Sequence, residues 1–267
     1  MIVTIVTPTF NAVEYLSDCI ESARAAERPG IEIEHVIVDG GSSDGTVELA
    51  RRYGLRVITG KDRGIFDAIN KGSFNSSGEL LGFLGGDDVM LPGGVAAIVD
   101  AYRRTGARWV VGGIRWIDER RHDLGGLSAP PTWMTPRMLI CLGWNPIMHM
   151  GTYFSREFFT ELGGFDINYR DCGDYEMFSR ARAAQRYARV PHPVACFRRT
   201  GFNNSAVNLE RSRREVQNIA AVFGPTSRFE YQLWRYMMKI WFNLANPAWS
   251  MAKLTNFFIG ERGRAYF

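Results

Sequence analysis

The sequence predicts an α/β fold in which a mostly parallel sheet is flanked by helices. Over residues 1–112, short β-branched runs alternate with segments whose apolar residues recur at helical spacing, which is typical of successive βαβ units. Continuous apolar runs such as 36–38 suit strands that are covered on both faces. The predicted strands are 2–6, 33–38, 55–59, 79–84 and 108–112.

Helices are predicted between these strands because apolar residues share one face of each segment. The two clearest faces are Val13, Leu16, Ile20 and Ala23 after the first strand, and Val95, Ile98, Val99 and Tyr102 after Pro92. A shorter helix is indicated by Val47 and Ala50. The order of elements is therefore that of a layered α/β domain.

The second half is less regular at first. Paired glycines and prolines interrupt residues 113–150, where we expect a long connection that shapes a pocket. Regular structure resumes with a strand at 151–155, helices at 156–162 and 175–184, and a final strand at 194–198. These patterns predict one catalytic domain over residues 1–205, divided at residue 112, followed by an extension over 206–267.

The extension is predicted to be helical, basic and aromatic. One apolar helix face comprises Phe229, Leu233, Tyr236, Met237, Ile240 and Leu244, and a basic stripe comprises Arg228, Arg235 and Lys239. Such a helix suits a membrane interface or a partner subunit in a homodimer. Packing against its own domain is an equally open alternative.

Composition limits the classes of partner. The 267 residues carry a net charge of +4 that is spread among acids, so no nucleic-acid partner is predicted. The four cysteines form no metal or disulfide pattern. Without a leader or an apolar run of about 18 residues, we expect a cytoplasmic protein, with peripheral contact to the inner face of the cytoplasmic membrane left open.

Polar loops follow the predicted strands, where ligands bind in open α/β sheets. After the first strand, the candidate binding residues are Thr7, Pro8, Thr9 and Asn11, although capping of the next helix also explains Asn11. After the second strand, Asp39 is expected to end the strand as an exposed acceptor for the imino N–H of a nucleobase. A tight turn capped by Ser43 or Asp44 is the alternative for residues 39–46.

The third and fourth strands are followed by charged residues. Arg63 is expected to bind a phosphate, although an isolated surface pair with Asp62 also explains it. Asp67, Asn70 and Lys71 share a helix face that is expected to line one wall of the site. Asp87 and Asp88 end the fourth strand. Adjacent carboxylates repel, and Mg²⁺ or Mn²⁺ offsets that repulsion, whereas a surface turn is the other explanation.

Taken together, these loops resemble family 2 glycosyltransferases, which have the Rossmann-like GT-A fold. The resemblance spans roughly residues 1–200 and rests on TPTFN at 7–11, DGGSSDGT at 39–46 and DRGIFDAINKG at 62–72. Gly-Phe-Asp at 164–166 and Asp-Tyr-Glu at 174–176 also match. These motifs are similar to those of a branch that acts in polysaccharide and glycoconjugate assembly.

The resemblance implies roles for individual residues. Asp39 is expected to bind the nucleobase, Asp88 to ligate the metal directly, and Asp87 to contact ribose or metal-bound water. Many relatives carry a side chain where this sequence has Gly86. Asp174 matches the general base, in competition with Asp166, Asp171 and Glu176 and with a simple N-capping role for Asp174.

Several side chains have no such match. His149 is expected near the diphosphate or the acceptor, although relatives often have His-Gln where this sequence has His149 and Met150. Trp133 and Trp144 are placed either to stack on a sugar or to pack in the core.

The implied reaction is inverting transfer from a UDP-sugar, with GDP- and dTDP-sugars as alternatives, to a glycan or lipid-linked acceptor, with Mn²⁺ or Mg²⁺. A non-catalytic nucleotide-sugar-binding scaffold and a sugar-phosphate nucleotidyltransferase are the competing hypotheses.

Overall fold

The computed structural model describes residues 1–200 and 208–247 of the chain. Nine strands form one sheet within these residues. The strands are β1 Ile2–Thr9, β2 Glu32–Asp39, β3 Arg56–Thr59, β4 Leu80–Phe83, β5 Val89–Met90, β6 Trp109–Ile117, β7 Asp123–Leu127, β8 Thr152–Ser155 and β9 Ala188–Arg198.

Helices cover both faces of the sheet. They are α1 Val13–Arg24, α2 Thr46–Arg52, α3 Ile65–Phe74, α4 Gly94–Thr105, α5 Pro136–Ile140, α6 Arg156–Glu161, α7 Gly173–Ala184, α8 Leu209–Phe223 and α9 Arg228–Ala245. The short segment His149–Gly151 is a 3₁₀ turn immediately before β8.

The strand order is β3-β2-β1-β4-β8-β6-β9-β5, and β7 pairs with β6. Strands β1 to β4 run parallel, β8 is antiparallel to β4 and β6, and β9 is parallel to β6. The carboxyl ends of β1, β2, β4, β6 and β9 therefore point the same way. This edge of the sheet is where ligands bind in open α/β folds.

The core lies on both faces of the sheet. On one face, α1 and α4 pack Leu16, Ile20 and Ile98 against the sheet. On the other face, aromatic rings from α6, α7 and the strands stack together, including Trp109 against Phe154 with 5.3 Å between ring centroids. The two clusters cover both faces of the central strands, as the apolar runs predict.

The predicted fold class is confirmed, and three strands are clearly longer than predicted, one of them β9, which begins at Ala188 and not at residue 194. β1 continues through Thr7, Pro8 and Thr9, which pair in parallel with residues 37–39 instead of forming a loop. β6 continues to Ile117 because β9 pairs along almost its whole length. Residues 113–150 consequently contain strand β7 and helix α5 as well as irregular segments.

The extension begins with helices that pack on the domain. In α8, Ile219 is fully buried beside Tyr175 and Ile140, and in α9, Met238 and Phe242 are buried. The predicted apolar face of α9 points to solvent instead, with exposed fractions from 43% to 79%. Across the described residues, none of the helices has the length and apolar character that a membrane span requires. Residues 248–267 lie outside the described part of the chain.

Candidate active site

The acidic pair lies directly beyond β4, beside the end of β1. The backbone N–H of Leu84 still pairs with Val6, and the chain then turns through Gly85 and Gly86. A Cβ added to Gly86 would lie 3.1 Å from Ala12 Cβ and 3.2 Å from Thr9 Cγ2. A glycine at this position therefore permits the close packing of the Asp87 turn against the end of β1.

Asp88 is 1% exposed and is held by backbone donors. Its Oδ1 accepts from the backbone N–H of Arg198 at 3.0 Å, and its Oδ2 accepts from Gly85 N–H at 3.3 Å. Burial, together with the neighbouring charge of Asp87, raises the pKa of Asp88 well above its ordinary value. Burial also raises the pKa of Asp87. Charge at this pair is thus disfavoured without a neutralising cation.

Arg198, at the end of β9, is 1% exposed and lies against the acidic turn. Its Nε donates to the Asp87 carbonyl at 2.8 Å, and its Nη2 pairs with Asp18 Oδ2 at 2.8 Å. Its guanidinium also lies 4.7 Å from the ring centroid of Tyr15. Arg198 therefore anchors the Asp87 turn to α1.

Asp39 is buried, at 1% exposure, so the expectation of an exposed acceptor is wrong. Its Oδ1 accepts from the backbone N–H groups of Gly41 and Ser42, and its Oδ2 from the hydroxyls of Ser42 and Thr9. The side chain folds back on its own turn, as Asp does at many strand ends. Despite its burial, these donors lower the pKa of Asp39, so it is an anion at neutral pH.

Asn11 does not cap α1, because Ala12 occupies the N-cap position. Asn11 Oδ1 instead accepts from Ser43 N–H at 3.0 Å, and Asp44 Oδ2 accepts from Val13 N–H at 3.1 Å at the start of α1. The loops after β1 and β2 are therefore joined side to side. Asn11 adopts a left-handed backbone conformation, with φ of 50°, to make this contact.

The residues predicted to follow β3 divide into two groups. The Arg63 side chain is exposed, and its backbone N–H donates to Asp67 Oδ2 at 3.0 Å. Lys71 pairs with the same carboxylate at 3.0 Å. Asn70 has a structural role, because its side chain both donates to and accepts from the backbone of Phe165.

Asp174 is the second residue of α7 and does not cap it, because Cys172 is the N-cap. Asp174 Oδ2 accepts from Asn145 Nδ2 at 3.1 Å, and Oδ1 accepts from Tyr175 N–H at 2.7 Å. Burial raises the pKa of Asp174 to about 6. Gly173 lies against the Phe66 ring, which brings the start of α7 beside the start of α3.

The competing carboxylates have other partners. Asp171 forms a two-point ion pair with Arg211, and Glu176 forms one with Arg180. Asp166 Oδ1 accepts from both nitrogens of Asn168. Neither carboxylate oxygen of Asp174 pairs with a cation among the described residues. Asp174 is thus the carboxylate of this segment best suited to accept a proton.

The aromatic and histidine candidates are less central. Burial lowers the pKa of His149 to about 4, so its ring is neutral at physiological pH. The Trp144 ring packs edge-on against Phe242 of α9 with 5.1 Å between centroids, in agreement with a core role. Trp133 is half exposed.

The prediction missed three residues that hold the site together. Arg198 ends a predicted strand, so the rule that ligands bind at strand ends, which selected Asp39 and Asp87, also applies to it. Asn145 lies in an irregular segment, and Glu215 lies in the extension, where no local pattern connects either residue to Asp174. Glu215 accepts backbone hydrogen bonds from residues 170–172.

The acidic pair has the chemistry that a divalent cation needs. Asp87 and Asp88 offer hard carboxylate oxygens whose charge burial disfavours, while the described residues contain no group of three or more His, Cys, Asp or Glu that could hold a metal. Mg²⁺ commonly uses one or two carboxylates and completes its shell with water and substrate phosphates. The residues therefore fit a metal that is shared with a diphosphate.

Comparison with known proteins agrees with this architecture. The model of the family described as Glycosyl transferase family 2 matches residues 4–163. A PGL/p-HBAD biosynthesis glycosyltransferase of Mycobacterium bovis is 28% identical over 238 residues, which cover 79% of this chain and 82% of that protein. An uncharacterized glycosyltransferase of Mycobacterium tuberculosis is 29% identical over 230 residues, covering 85% and 82%.

Two solved structures share the fold. Staphylococcus aureus TarS 1-349 in complex with UDP-GlcNAc has a TM-score of 0.68 at 15% identity, covering 89% of this chain and 71% of that one. The mannosyltransferase PcManGT from Pyrobaculum calidifontis, in complex with GDP-Man and Mn²⁺, has a TM-score of 0.60 at 20% identity, covering 99% and 76%. These similarities place the chain among proteins with the GT-A fold.

Proposed function

The chain belongs to glycosyl transferase family 2, and from that membership we propose that it moves a sugar from a nucleotide-diphosphate sugar to an acceptor hydroxyl with inversion. It is a glycosyltransferase, and the donor, the stereochemistry and the use of a metal are the proposed parts. The observation that supports this mechanism best is the environment of Asp174. It is a positioned carboxylate with a pKa of about 6 and no cation partner among the described residues.

Inversion requires a base on the side of the sugar opposite the leaving diphosphate. In the proposed step, Asp174 takes the proton of the acceptor hydroxyl as that oxygen bonds to the anomeric carbon and the diphosphate departs. A base whose pKa lies near the working pH is ionised and still basic enough to hold the proton. Because burial raises its pKa, Asp174 suits this role better than an Asp with an ordinary pKa would.

The donor is proposed to bind across the joined loops after β1 to β4. We assign the nucleobase to the Asp39 turn, where Ser42 and Thr9 hold the carboxylate. Arg63, whose guanidinium is exposed beside α3, is proposed to bind phosphate. A UDP-hexose is our favoured donor, in line with the UDP-GlcNAc bound by TarS, and the GDP-Man of PcManGT keeps a GDP-sugar as the alternative.

The leaving group needs its negative charge stabilised. Asp87 and Asp88 would hold Mg²⁺ or Mn²⁺, which supplies positive charge to the departing diphosphate. Asp88 is proposed as the direct ligand because it matches the second residue of the family's metal-binding acidic motif. Asp87 is then the contact to ribose or to metal-bound water. His149, a neutral partly buried imidazole, is proposed as a polar contact near the acceptor.

The acceptor is proposed to be a glycan or a lipid-linked molecule in glycoconjugate or polysaccharide biosynthesis. Support comes from the exposed apolar face of α9 and its flanking Arg228 and Lys239, which suit an anionic membrane surface. The mycobacterial relative named for PGL/p-HBAD biosynthesis supports an acceptor of this class. A homodimer through α9 is the competing arrangement.

The deciding experiment has two stages. Thermal shifts with UDP-, GDP- and dTDP-sugars, each with and without Mn²⁺, identify the donor that stabilises the fold. Transfer from that donor to lipid-linked and oligosaccharide acceptors is then followed by NMR, which reports the anomeric configuration of the product. The Asp174→Asn variant should lose at least about a thousandfold in kcat, while the matched Asp166→Asn control should retain it.

A product that keeps the donor configuration would contradict inversion. Release of pyrophosphate from a nucleoside triphosphate and a sugar phosphate would instead favour a nucleotidyltransferase. Donor binding without transfer across the acceptor panel would favour a scaffold subunit.

A further inference from the structure

We propose that Glu215 is a positioning residue for Asp174, so that the first helix of the C-terminal extension completes the catalytic site. This inference rests on the proposed function, because it assigns Asp174 as the base. Glu215 lies well beyond residues 4–163, which the family model matches. It also lies beyond residue 205, where the sequence predicts that the catalytic domain ends.

The contacts of Glu215 are unusual for a carboxylate on a surface helix. The residue is 7% exposed, and its two oxygens accept from three consecutive backbone N–H groups. Oε1 accepts from Arg170 at 2.9 Å, and Oε2 accepts from Asp171 at 3.0 Å and from Cys172 at 2.8 Å. A buried carboxylate that is bonded in this way fixes the backbone geometry of the whole segment.

This segment leads directly into α7. Cys172 is the N-cap of the helix and provides no side-chain cap, and Asp174 is two residues further along. Because Glu215 holds the amides before the helix begins, it sets the position from which Asp174 projects. A negative charge near a helix N-terminus is also favoured by the helix dipole.

The same turn of α8 holds the segment at a second point. Arg211 forms a two-point ion pair with Asp171, at 2.6 and 2.7 Å, and Ser212 Oγ lies 3.2 Å from the same carboxylate. One helical turn further on, Ile219 is fully buried beside Tyr175. α8 thus contacts the residues on both sides of Asp174.

The charge of Glu215 also acts on Asp174. Glu215 raises the pKa of Asp174, in addition to the larger effect of burial. Among the described residues, Cys172 and Tyr175 are titratable neighbours that also interact with Asp174. Burial raises the pKa of Cys172 to about 12 and raises that of Tyr175 as well, so both are neutral at the pH of the reaction. Glu215 is therefore a charge whose removal should change the pH profile.

The test compares Glu215→Gln with Glu210→Gln, which removes an exposed carboxylate from the same helix. For Glu215→Gln, we expect kcat to fall about tenfold or more, while KM for the donor stays within about twofold. The acidic limb of the kcat profile should move to lower pH. Amide hydrogen exchange at residues 170–172 should accelerate. Glu210→Gln should match the wild type in each measurement.

Unchanged kcat and pH profile in Glu215→Gln would overturn the positioning role, as would an equal loss in donor binding. Should Glu215→Gln fail to fold, Arg211→Gln decides the question, because it loosens the same segment from the exposed side; unchanged kcat in that variant overturns the inference. A wild-type protein that transfers no sugar would contradict the proposed function but not the contacts of Glu215. The exchange measurement still decides whether Glu215 holds residues 170–172.

Discussion

Asn145 donates its side-chain amide to the carboxylate of Asp174, with 3.1 Å between Nδ2 and Oδ2. The orientation of the Asn145 amide is fixed because its Oδ1 accepts from Ile147 N–H at 3.0 Å. The second oxygen of Asp174 accepts from Tyr175 N–H. These neutral donors orient the carboxylate without neutralising its charge, which leaves it basic. This combination is what a general base requires.

The pH dependence of kcat should report Asp174. Its pKa is raised to about 6, so the group is protonated and inactive below that pH and ionised above it. We expect kcat to fall about tenfold per pH unit below pH 6. Because the Asn145 hydrogen bond lowers this pKa, Asn145→Ala should move the acidic limb to higher pH. A profile that is flat between pH 5 and 8 would argue against Asp174 as the base.

Asp174→Asn should be more stable than the wild type although it loses activity. The folded pKa of about 6 lies above the ordinary value of 3.8, so the folded protein binds more protons between these values. The free energy of unfolding of the wild type therefore falls as the pH rises from about 4 to 6. Urea denaturation should show Asp174→Asn to be more stable than the wild type above pH 6, by on the order of 3 kcal/mol.

The stability gain of Asp174→Asn should vanish below about pH 4, where both states bind the proton. Asp166→Asn, a change in the same segment, is the control and should show no such pH-dependent gain. Equal stability of Asp174→Asn and the wild type at pH 8 would mean that Asp174 carries no cost of burial.

Arg198 should contribute much more to stability than Arg121, although both pair with Asp18. Arg198 is fully buried, and Arg198→Met leaves the Asp87 carbonyl without its side-chain donor. Asp18 is a third exposed and keeps its pair with Arg121, so the cost comes from the buried backbone acceptor that is left unpaired, about 1–3 kcal/mol. The Arg121 side chain is half exposed, and Arg121→Gln should cost less than about 1 kcal/mol. Similar unfolding midpoints for the two variants would contradict an anchoring role for Arg198.

The sequence predicts which strands have acidic residues at their carboxyl ends better than it predicts the contacts of those side chains. Asp39 ends β2 and Asp87 lies just beyond β4, as expected, because parallel strands bring their carboxyl ends to one edge. The burial of Asp39 was not predicted, because the turn that covers it depends on Ser42 and on Thr9 from a neighbouring strand. The role of Glu215 depends on contacts more than 40 residues away, which no local periodicity encodes.

The acidic pair should make nucleotide binding depend on a divalent cation. Calorimetry with the selected nucleotide should show at least about a tenfold loss of affinity when EDTA removes Mg²⁺ or Mn²⁺. The same loss is expected in Asp88→Asn with the metal present. Asp118→Asn serves as the control, because the Asp118 carboxylate lies in a different turn, where it pairs with His122. Undiminished binding in EDTA would mean that Asp87 and Asp88 serve only the turn beyond β4.

The exposed face of α9 offers a test of membrane contact that leaves the core intact. Deletion from residue 228 onward is unsuitable, because it would also remove the buried Met238 and Phe242. Leu233→Glu combined with Ile240→Glu changes exposed positions alone and should abolish flotation with phosphatidylglycerol vesicles, because each places a charge on the apolar face. Val222→Glu, an exposed apolar position on α8, is the matched control and should still bind.

Binding should weaken with added salt, since Arg228 and Lys239 attract the anionic surface. A wild-type dimer that dissociates in the double variant, with no vesicle binding in either protein, would assign this face to a second copy of the chain.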